Sequence, residues 1–156
     1  MDNIPLDSPN SALKENQIVS LDYLDHHLYG EVIQLIRDRR LCWFRPLCLS
    51  LAKLAEQDID LSLCLKQERG SNSQRSTTSA PNEDFASTHN PKLIDLQSGS
   101  DLLLPDILFR PALDLEIIDF LPQLSDISHN SAQSKIDRKC LNKFVYLVWQ
   151  AHQDKF

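Results

Sequence analysis

The chain of 156 residues has the length of one domain, and its 42% hydrophobic and 24% charged content is ordinary for a globular protein. A formal charge of −6 and a pI near 5.2 weigh against nucleic acid as a partner, because binding to phosphates requires a basic surface. Only three glycines are present, which excludes a glycine-rich nucleotide loop. No apolar run approaches the roughly 18 residues of a membrane helix, so we expect no direct membrane insertion.

The first twenty residues predict a flexible N-terminal arm. They contain acidic residues and prolines and lack the basic start and apolar stretch of a secretory signal. We therefore expect the protein in the cytoplasm, either free or at the periphery of a membrane complex. Free cysteines packed like small apolar side chains fit such a compartment. The four cysteines, all among apolar neighbours, are Cys42, Cys48, Cys64 and Cys140.

The segment from Leu28 to Leu49 predicts a β-hairpin. Two stretches rich in β-branched and aromatic residues, LYGEVIQLI and LCWFRPLCL, flank the charged turn RDRR. A helix is the alternative for the first stretch, because its apolar residues also share a helical face. Gly30 and Pro46 weaken a helix, so strands are favoured.

A strand and then a long polar loop are predicted in the middle of the chain. Apolar and other residues alternate from Ile59 to Lys66, which is the period of a half-buried strand. Residues 66–92 are rich in Ser, Thr, Asn, Gln and Pro, a composition that predicts a disordered loop. Because a long surface loop costs little stability, we expect residues 21–156 to form one domain around it.

A second hairpin and a short helix are predicted after the loop. The stretches KLIDL and DLLLP lie on either side of QSGS, whose glycine suggests a turn. Arg110 is expected to be extended because Pro111 follows it. A short helix is predicted from Asp114 to Leu121.

The clearest predicted element is an amphipathic helix from Ser131 to Asp154. It requires a surface to cover, which a sheet of four or five antiparallel strands would provide, whether open or barrel-like. We therefore predict an α+β fold. The apolar residues that recur at steps of three and four are Ile136, Cys140, Phe144, Leu147, Val148 and Ala151.

The tripeptide Phe-Arg-Pro occurs twice, at residues 44–46 and 109–111. One interpretation is structural: each Phe fills the core, each Pro ends a strand, and each Arg pairs with an acidic neighbour. The acidic candidates are Asp106, Asp114 and Glu116. The other interpretation brings Arg45 and Arg110 together to bind a carboxylate or phosphate through both guanidinium edges.

No motif predicts a catalytic residue, a metal site or a cofactor. The stretch PDILFRPALDLE weakly resembles the acidic pattern of metal-dependent nucleases, but Glu116 stands where that pattern has lysine. His26 and His27 lack the spacing of zinc ligands. A small anion-binding or metal-dependent enzyme domain remains the alternative function. It would use Arg45 and Arg110 with Asp106, Asp114 and Glu116.

Two stretches, LYGEVIQLIRDRRLCWFRPLCL and DLLLPDILFRPALDLEII, resemble a family of small conserved proteins of cyanobacteria with no established activity. The resemblance covers Leu21 to Leu51 and Leu93 to Leu124, and it carries over no functional residues. It implies a cytoplasmic protein in a photosynthetic bacterium, where many small acidic proteins serve as subunits or assembly factors of large complexes.

The function expected from the sequence is a non-catalytic protein-interaction or assembly module, because catalytic motifs are absent. Aromatic and arginine side chains dominate interface energies, so an exposed aromatic patch flanked by arginines would bind a protein partner. Trp149 lies off the apolar stripe of its helix and is therefore the better interface candidate. The residues predicted for this patch are Trp43, Phe44, Trp149, Arg37, Arg39 and Arg40. The oligomeric state is not predicted.

Overall fold

The computed structural model describes residues 13–52, 91–125 and 131–156. Several predictions lie outside these residues. They are the strand from Ile59 to Lys66, the polar loop at residues 66–90, Cys64, and residues 1–12 of the N-terminal arm. Residues 18–20 of that predicted arm belong to the first strand of the sheet.

The described residues form six β-strands and two α-helices. The strands are β1 (Ile18–Tyr23), β2 (His26–Ile36), β3 (Leu41–Leu51), β4 (Lys92–Asp95), β5 (Leu102–Pro105) and β6 (Phe109–Pro111). The helices are α1 (Asp114–Ser125) and α2 (Ser131–Ala151).

The six strands make one antiparallel sheet in the order β4-β3-β2-β1-β6, and β5 also pairs with β3. The order runs from one edge to the other without closing, so the sheet is open rather than barrel-like. The predicted α+β class is confirmed. Most neighbours in the sheet are also neighbours in sequence, but β6 returns to pair with β1 at the far edge.

The predicted hairpin from Leu28 to Leu49 is confirmed. β2 and β3 are eleven residues long each, and the turn between them contains a single 3-10 turn at Arg37–Arg39. Arg40 closes the turn with φ of 56°, in the left-handed region. The β-branched and aromatic content of both stretches therefore overrode the helical period of the first.

The second predicted hairpin is wrong, because β4 and β5 do not pair with each other. Both are antiparallel to β3: β4 lies along Cys48–Leu51 and β5 along Leu41–Phe44. β3 is long enough to accept two short strands end to end. The predicted turn at Gly99 does form, but it joins two halves of one interrupted edge strand.

The two helices cover opposite faces of the sheet. On one face, Leu28 and Leu49 belong to a core cluster that includes Phe144 and Val148 of α2. Side chains alternate between faces along a strand, so the intervening residues point the other way. There, a second cluster joins strand residues to α1; its buried members are Tyr29, Cys48, Phe120 and Leu124.

α1 begins at Asp114 as predicted but continues past Pro122 to Ser125. The predicted end at Leu121 is therefore four residues too early, although proline lacks the amide hydrogen that a helix interior uses. Phe120 and Leu124 are one turn apart and both buried against the sheet. Their packing stabilises the last turn despite the proline.

α2 confirms the predicted C-terminal helix, although it ends at Ala151 and a 3-10 turn follows at Gln153–Lys155. Of the predicted apolar stripe, Ile136 is half-buried and Ala151 is exposed. The middle of the helix packs against one face of the sheet, so side chains there are buried, whereas Ile136 and Ala151 towards its ends are more exposed. The buried residues of α2 are Cys140, Leu141, Phe144, Leu147 and Val148.

The cysteines agree only partly with the prediction of free thiols. Cys42 and Cys48 are free and fully buried. Burial raises the pKa of Cys42 to about 11 and that of Cys48 to about 12, so both thiols are protonated and unreactive at neutral pH. The prediction is wrong for Cys140, which is disulfide-bonded. The cytoplasmic location therefore stays a prediction.

Gly30 allows a contact that spans the sheet. The ring of Phe44 on β3 lies directly over Gly30 on β2, and its centroid is 4.9 Å from that of Phe109 on β6. A Cβ at position 30 would overlap both the Phe44 ring and the carbonyl oxygen of Arg45. Glycine is therefore required here because the neighbouring strand approaches closely. The backbone conformation does not require it, since φ of Gly30 is not positive.

We expect Gly30→Ala to lower the free energy of unfolding by about 3 kcal/mol, at the upper end of overpacking effects, because the backbone carbonyl cannot move aside as a side chain can. Gly99→Ala is the control, since the nearest atom to its Cβ would be the carbonyl oxygen of Leu96 at 3.0 Å in an exposed turn. Urea unfolding of both variants checks this. If the two variants are equally stable, the close approach at Gly30 does not require glycine.

Candidate functional site

The two Phe-Arg-Pro copies occupy different positions in the sheet. The first lies inside β3 and the second makes up the whole of β6. Both phenylalanines are buried, as the structural interpretation of the repeat predicts. Pro111 ends its strand as predicted, but Pro46 does not. Pro46 stands opposite Gly30 at a register shift of the β2–β3 pair, and such bulges tolerate a residue without an amide hydrogen.

Arg45 forms an exposed ion pair with a residue that the sequence analysis did not consider. Its Nε donates to Oδ1 of Asp101 at 3.1 Å, and its Nη2 to Oδ2 at 3.4 Å. Nε1 of Trp43 donates to the same carboxylate at 3.0 Å. Exposed ion pairs contribute little to stability, so this group mainly fixes the orientation of Trp43 and Arg45.

Arg110 lies at the centre of a denser group, which we term the Arg110 cluster: Ser20, Asp22, His27, Tyr29, Arg110 and Glu116. Nη1 and Nη2 of Arg110 donate to the two oxygens of Glu116 at 3.0 and 2.8 Å, and its Nε donates to Asp22. Asp22 also accepts from Nδ1 of His27 at 2.8 Å and from the Ser20 hydroxyl. Glu116 accepts from the Leu113 amide and the Tyr29 hydroxyl.

The Arg110 cluster stabilises the ionised form of both carboxyl groups. Hydrogen bonds from Arg110 lower the pKa of Glu116 to about 2, against the opposing effect of burial. Burial tends to raise the pKa of Asp22, but hydrogen bonds from His27, Arg110 and Ser20 outweigh it and hold that pKa far below its usual range. Burial and the negative charge of Glu116 raise the pKa of Tyr29. The cluster therefore keeps its charges at neutral pH.

The structure does not bring Arg45 and Arg110 together. They lie on β3 and β6, with β2 and β1 between them, and each guanidinium is bound by its own carboxylates. Of the acidic residues named with them, Asp106 binds Arg40 at 3.2 Å, whereas Glu116 binds Arg110. An anion would have to displace these carboxylates. The arrangement therefore gives no support to the alternative of an anion-binding or enzyme domain.

The predicted aromatic patch is not formed as one surface. Phe44 is fully buried, whereas Trp43 and Trp149 each expose 41% of their surface. Trp43 belongs to β3, and Trp149 stacks on Tyr146 of α2 with ring centroids 5.9 Å apart. The predicted arginines lie in the β2–β3 turn, where Arg40 is bound to Asp106.

Another group of exposed apolar residues lies on the outer side of α1 and at the residue just before it. We define the α1 outer face as Leu113, Leu115, Ile118 and Leu121, all exposed, with Leu115 the most exposed at 76%. The opposite side of the helix already buries Phe120 and Leu124. A helix that is apolar on both sides is typical of one covered on both sides. The sequence analysis missed this signal, which lies in the excess of apolar residues in DLEIIDFLPQL.

His26 and His27 point to opposite faces of the sheet, as neighbours in a strand do. Nδ1 of His26 accepts from the Ala52 amide, while His27 joins the Arg110 cluster. Among residues 13–52, 91–125 and 131–156, no three His, Cys, Asp or Glu side chains are arranged to hold a metal ion. In the same ranges, no helix has the length and apolar character needed to cross a membrane.

Comparison of the chain with protein-family models, curated proteins and solved structures finds no match.

We expect Glu116→Gln to flatten the acid dependence of stability. A folded pKa of about 2 lies below the usual 4.5, so the stabilisation is complete above about pH 4.5 and is lost as the pH falls towards 2. The variant should be less stable at pH 7 and should lose less stability between pH 5 and pH 2.5. Urea unfolding across this range measures both effects.

Asp119→Asn is the matched control, because Asp119 lies on the same helix, is exposed and forms no ion pair within the described residues. It should show the acid dependence of the unmodified protein. If Glu116→Gln also shows that dependence, the ion pair with Arg110 does not contribute to stability.

Proposed function

We propose that the protein is a non-catalytic protein-interaction module whose partner docks on the α1 outer face. The observation that carries this proposal is the exposure of Leu115, Ile118 and Leu121 on a helix whose other side is already packed on the sheet, together with that of Leu113 just before the helix. Isolated exposed apolar residues are ordinary on protein surfaces, but a contiguous group marks an interaction site.

The α1 outer face has the geometry of a helical docking surface. Leu115, Ile118 and Leu121 are spaced by three residues, so they follow one side of the helix. Fully burying a leucine or isoleucine side chain contributes about 1.5–3 kcal/mol. A few such residues at the centre of an interface are enough to dominate its affinity.

The charge around this surface indicates the chemistry of the partner. α1 contains three acidic residues and no basic ones. Glu116 is bound to Arg110, but Asp114 and Asp119 are exposed carboxylates with no ion pair among the described residues. We therefore expect a protein partner that presents apolar residues flanked by lysine or arginine, since complementary charge favours association.

Self-association through the same surface is disfavoured by these charges. Two copies meeting face to face would bring Asp114 and Asp119 of one chain close to those of the other, and the whole chain carries −6. Like charges opposed across an interface destabilise it. A different protein is therefore the better occupant.

The more specific form of this proposal is an accessory or assembly factor of a larger complex. Its support is the sequence resemblance to small cyanobacterial proteins, which suggests a photosynthesis-related complex.

We expect the double substitution Leu115→Gln and Ile118→Gln to abolish partner capture while leaving the fold intact, because glutamine is a good helix former and both positions are exposed. Tagged protein would be incubated with lysate of its source, membranes included, and partners quantified by mass spectrometry. Leu24→Gln is the matched control, since Leu24 is 65% exposed in the turn between β1 and β2.

A photo-cross-linking residue at Ile118 identifies the contacted segment. We expect cross-linked peptides with apolar residues flanked by lysine or arginine, and weaker capture at high salt because charge attraction is screened. Equal capture by the double variant and the control, or cross-links to acidic segments, would contradict the proposal. So would a homodimer that the double substitution dissociates.

A further inference from the structure

A groove lies between α1 and the sheet, on the side of the helix adjacent to the α1 outer face. Its volume of about 490 Å³ falls within the range of small-molecule sites. Leu93 of β4 and Phe120 of α1 give it an apolar floor. The Phe120 ring is held in place by stacking on Tyr29, with centroids 4.7 Å apart. The floor is therefore preformed.

One wall of the groove is a row of polar residues that runs across three strands. Asp22 on β1 is opposite His27 on β2, and His27 is opposite Ser50 on β3. Directly opposed residues point to the same face of a sheet. His27 and Ser50 line the groove, and Asp22 supports His27 from behind.

The hydrogen bond to Asp22 determines which ring nitrogen of His27 carries the hydrogen. Asp22 is ionised and can only accept, so Nδ1 of His27 carries the hydrogen in their 2.8 Å bond. In neutral His27 the other nitrogen, Nε2, is then an acceptor. No hydrogen bond to Nε2 is formed within the described part of the chain.

The opposite wall is acidic. Asp119 and Gln123 of α1 line the groove together with Glu116. Both oxygens of Glu116 are bound by Arg110, which leaves Asp119 as the carboxylate able to accept from a ligand. No lysine or arginine is found among the described residues that line the groove. The site therefore favours a cation over an anion.

We infer that this groove binds a small primary amine with an apolar body. The body lies on Leu93 and Phe120, and the ammonium group donates to the Asp119 carboxylate and to Nε2 of His27. The groove shares Asp119 with the acidic surroundings of the α1 outer face, but this inference does not rest on the proposed protein partner. The row Asp22, His27 and Ser50 then has a binding role, because Asp22 fixes the His27 tautomer that accepts from the ligand.

The test is a titration of isotope-labelled protein followed by nuclear magnetic resonance, with benzylamine as the probe. Benzyl alcohol is the neutral comparison of similar shape. We expect saturable shifts for benzylamine at resonances of His27, Leu93 and Phe120, and at least about tenfold weaker binding of benzyl alcohol, because a charge-assisted hydrogen bond is lost.

Two substitutions on α1 test whether Asp119 is the carboxylate that binds the ammonium group. Asp119→Asn should weaken benzylamine binding by about tenfold, whereas Asp114→Asn, which removes the same charge from a residue that does not line the groove, should change it by less than about twofold. Both residues are exposed, so the fold is retained. Equal binding of the two probes, equal effects of the two substitutions, or shifts confined to the α1 outer face would overturn the inference.

Discussion

The contact between Phe44 and Phe109 is the constraint on which the rest of the structure depends. The two rings lie on β3 and β6, and the Phe44 ring can take its position over β2 because Gly30 has no side chain. The two rings are tilted by 38° to each other, and their contact ties the long central hairpin to the short strand at the far edge of the sheet. The repeated Phe-Arg-Pro is therefore a pair of scaffold elements that meet through their phenylalanines.

The same arrangement determines what the other face of the sheet can do. Residues next to a core phenylalanine in a strand point away from the core, which places Arg45 and Arg110 on the face of α1 while β2 and β1 hold them apart. Each arginine is then neutralised by carboxylates nearby. Arg110 also fixes the first turn of α1 through Glu116. That turn positions both the α1 outer face and the groove beside it.

Local sequence patterns predicted which segments form strands and helices better than they predicted which strands pair with each other. The hairpin from Leu28 to Leu49 and both helices are encoded by residue types and periods within the segment itself. The pairing of β4 and β5 with β3 depends on the length of β3, which no local pattern reveals. Asp22 and Arg110 are 88 residues apart, so only the fold brings them together. The α1 outer face was readable from composition, but its exposure depends on which side the sheet covers.

A comparison of two double-mutant cycles by urea unfolding tests the central claim most directly. The first cycle combines Phe44→Leu with Phe109→Leu, and the second combines Arg45→Gln with Arg110→Gln. If the repeats meet through their aromatic rings, the phenylalanine cycle gives a coupling of about 0.5–1.5 kcal/mol and the arginine cycle gives none. Additive phenylalanine effects together with coupled arginines would contradict the account and restore a shared arginine site.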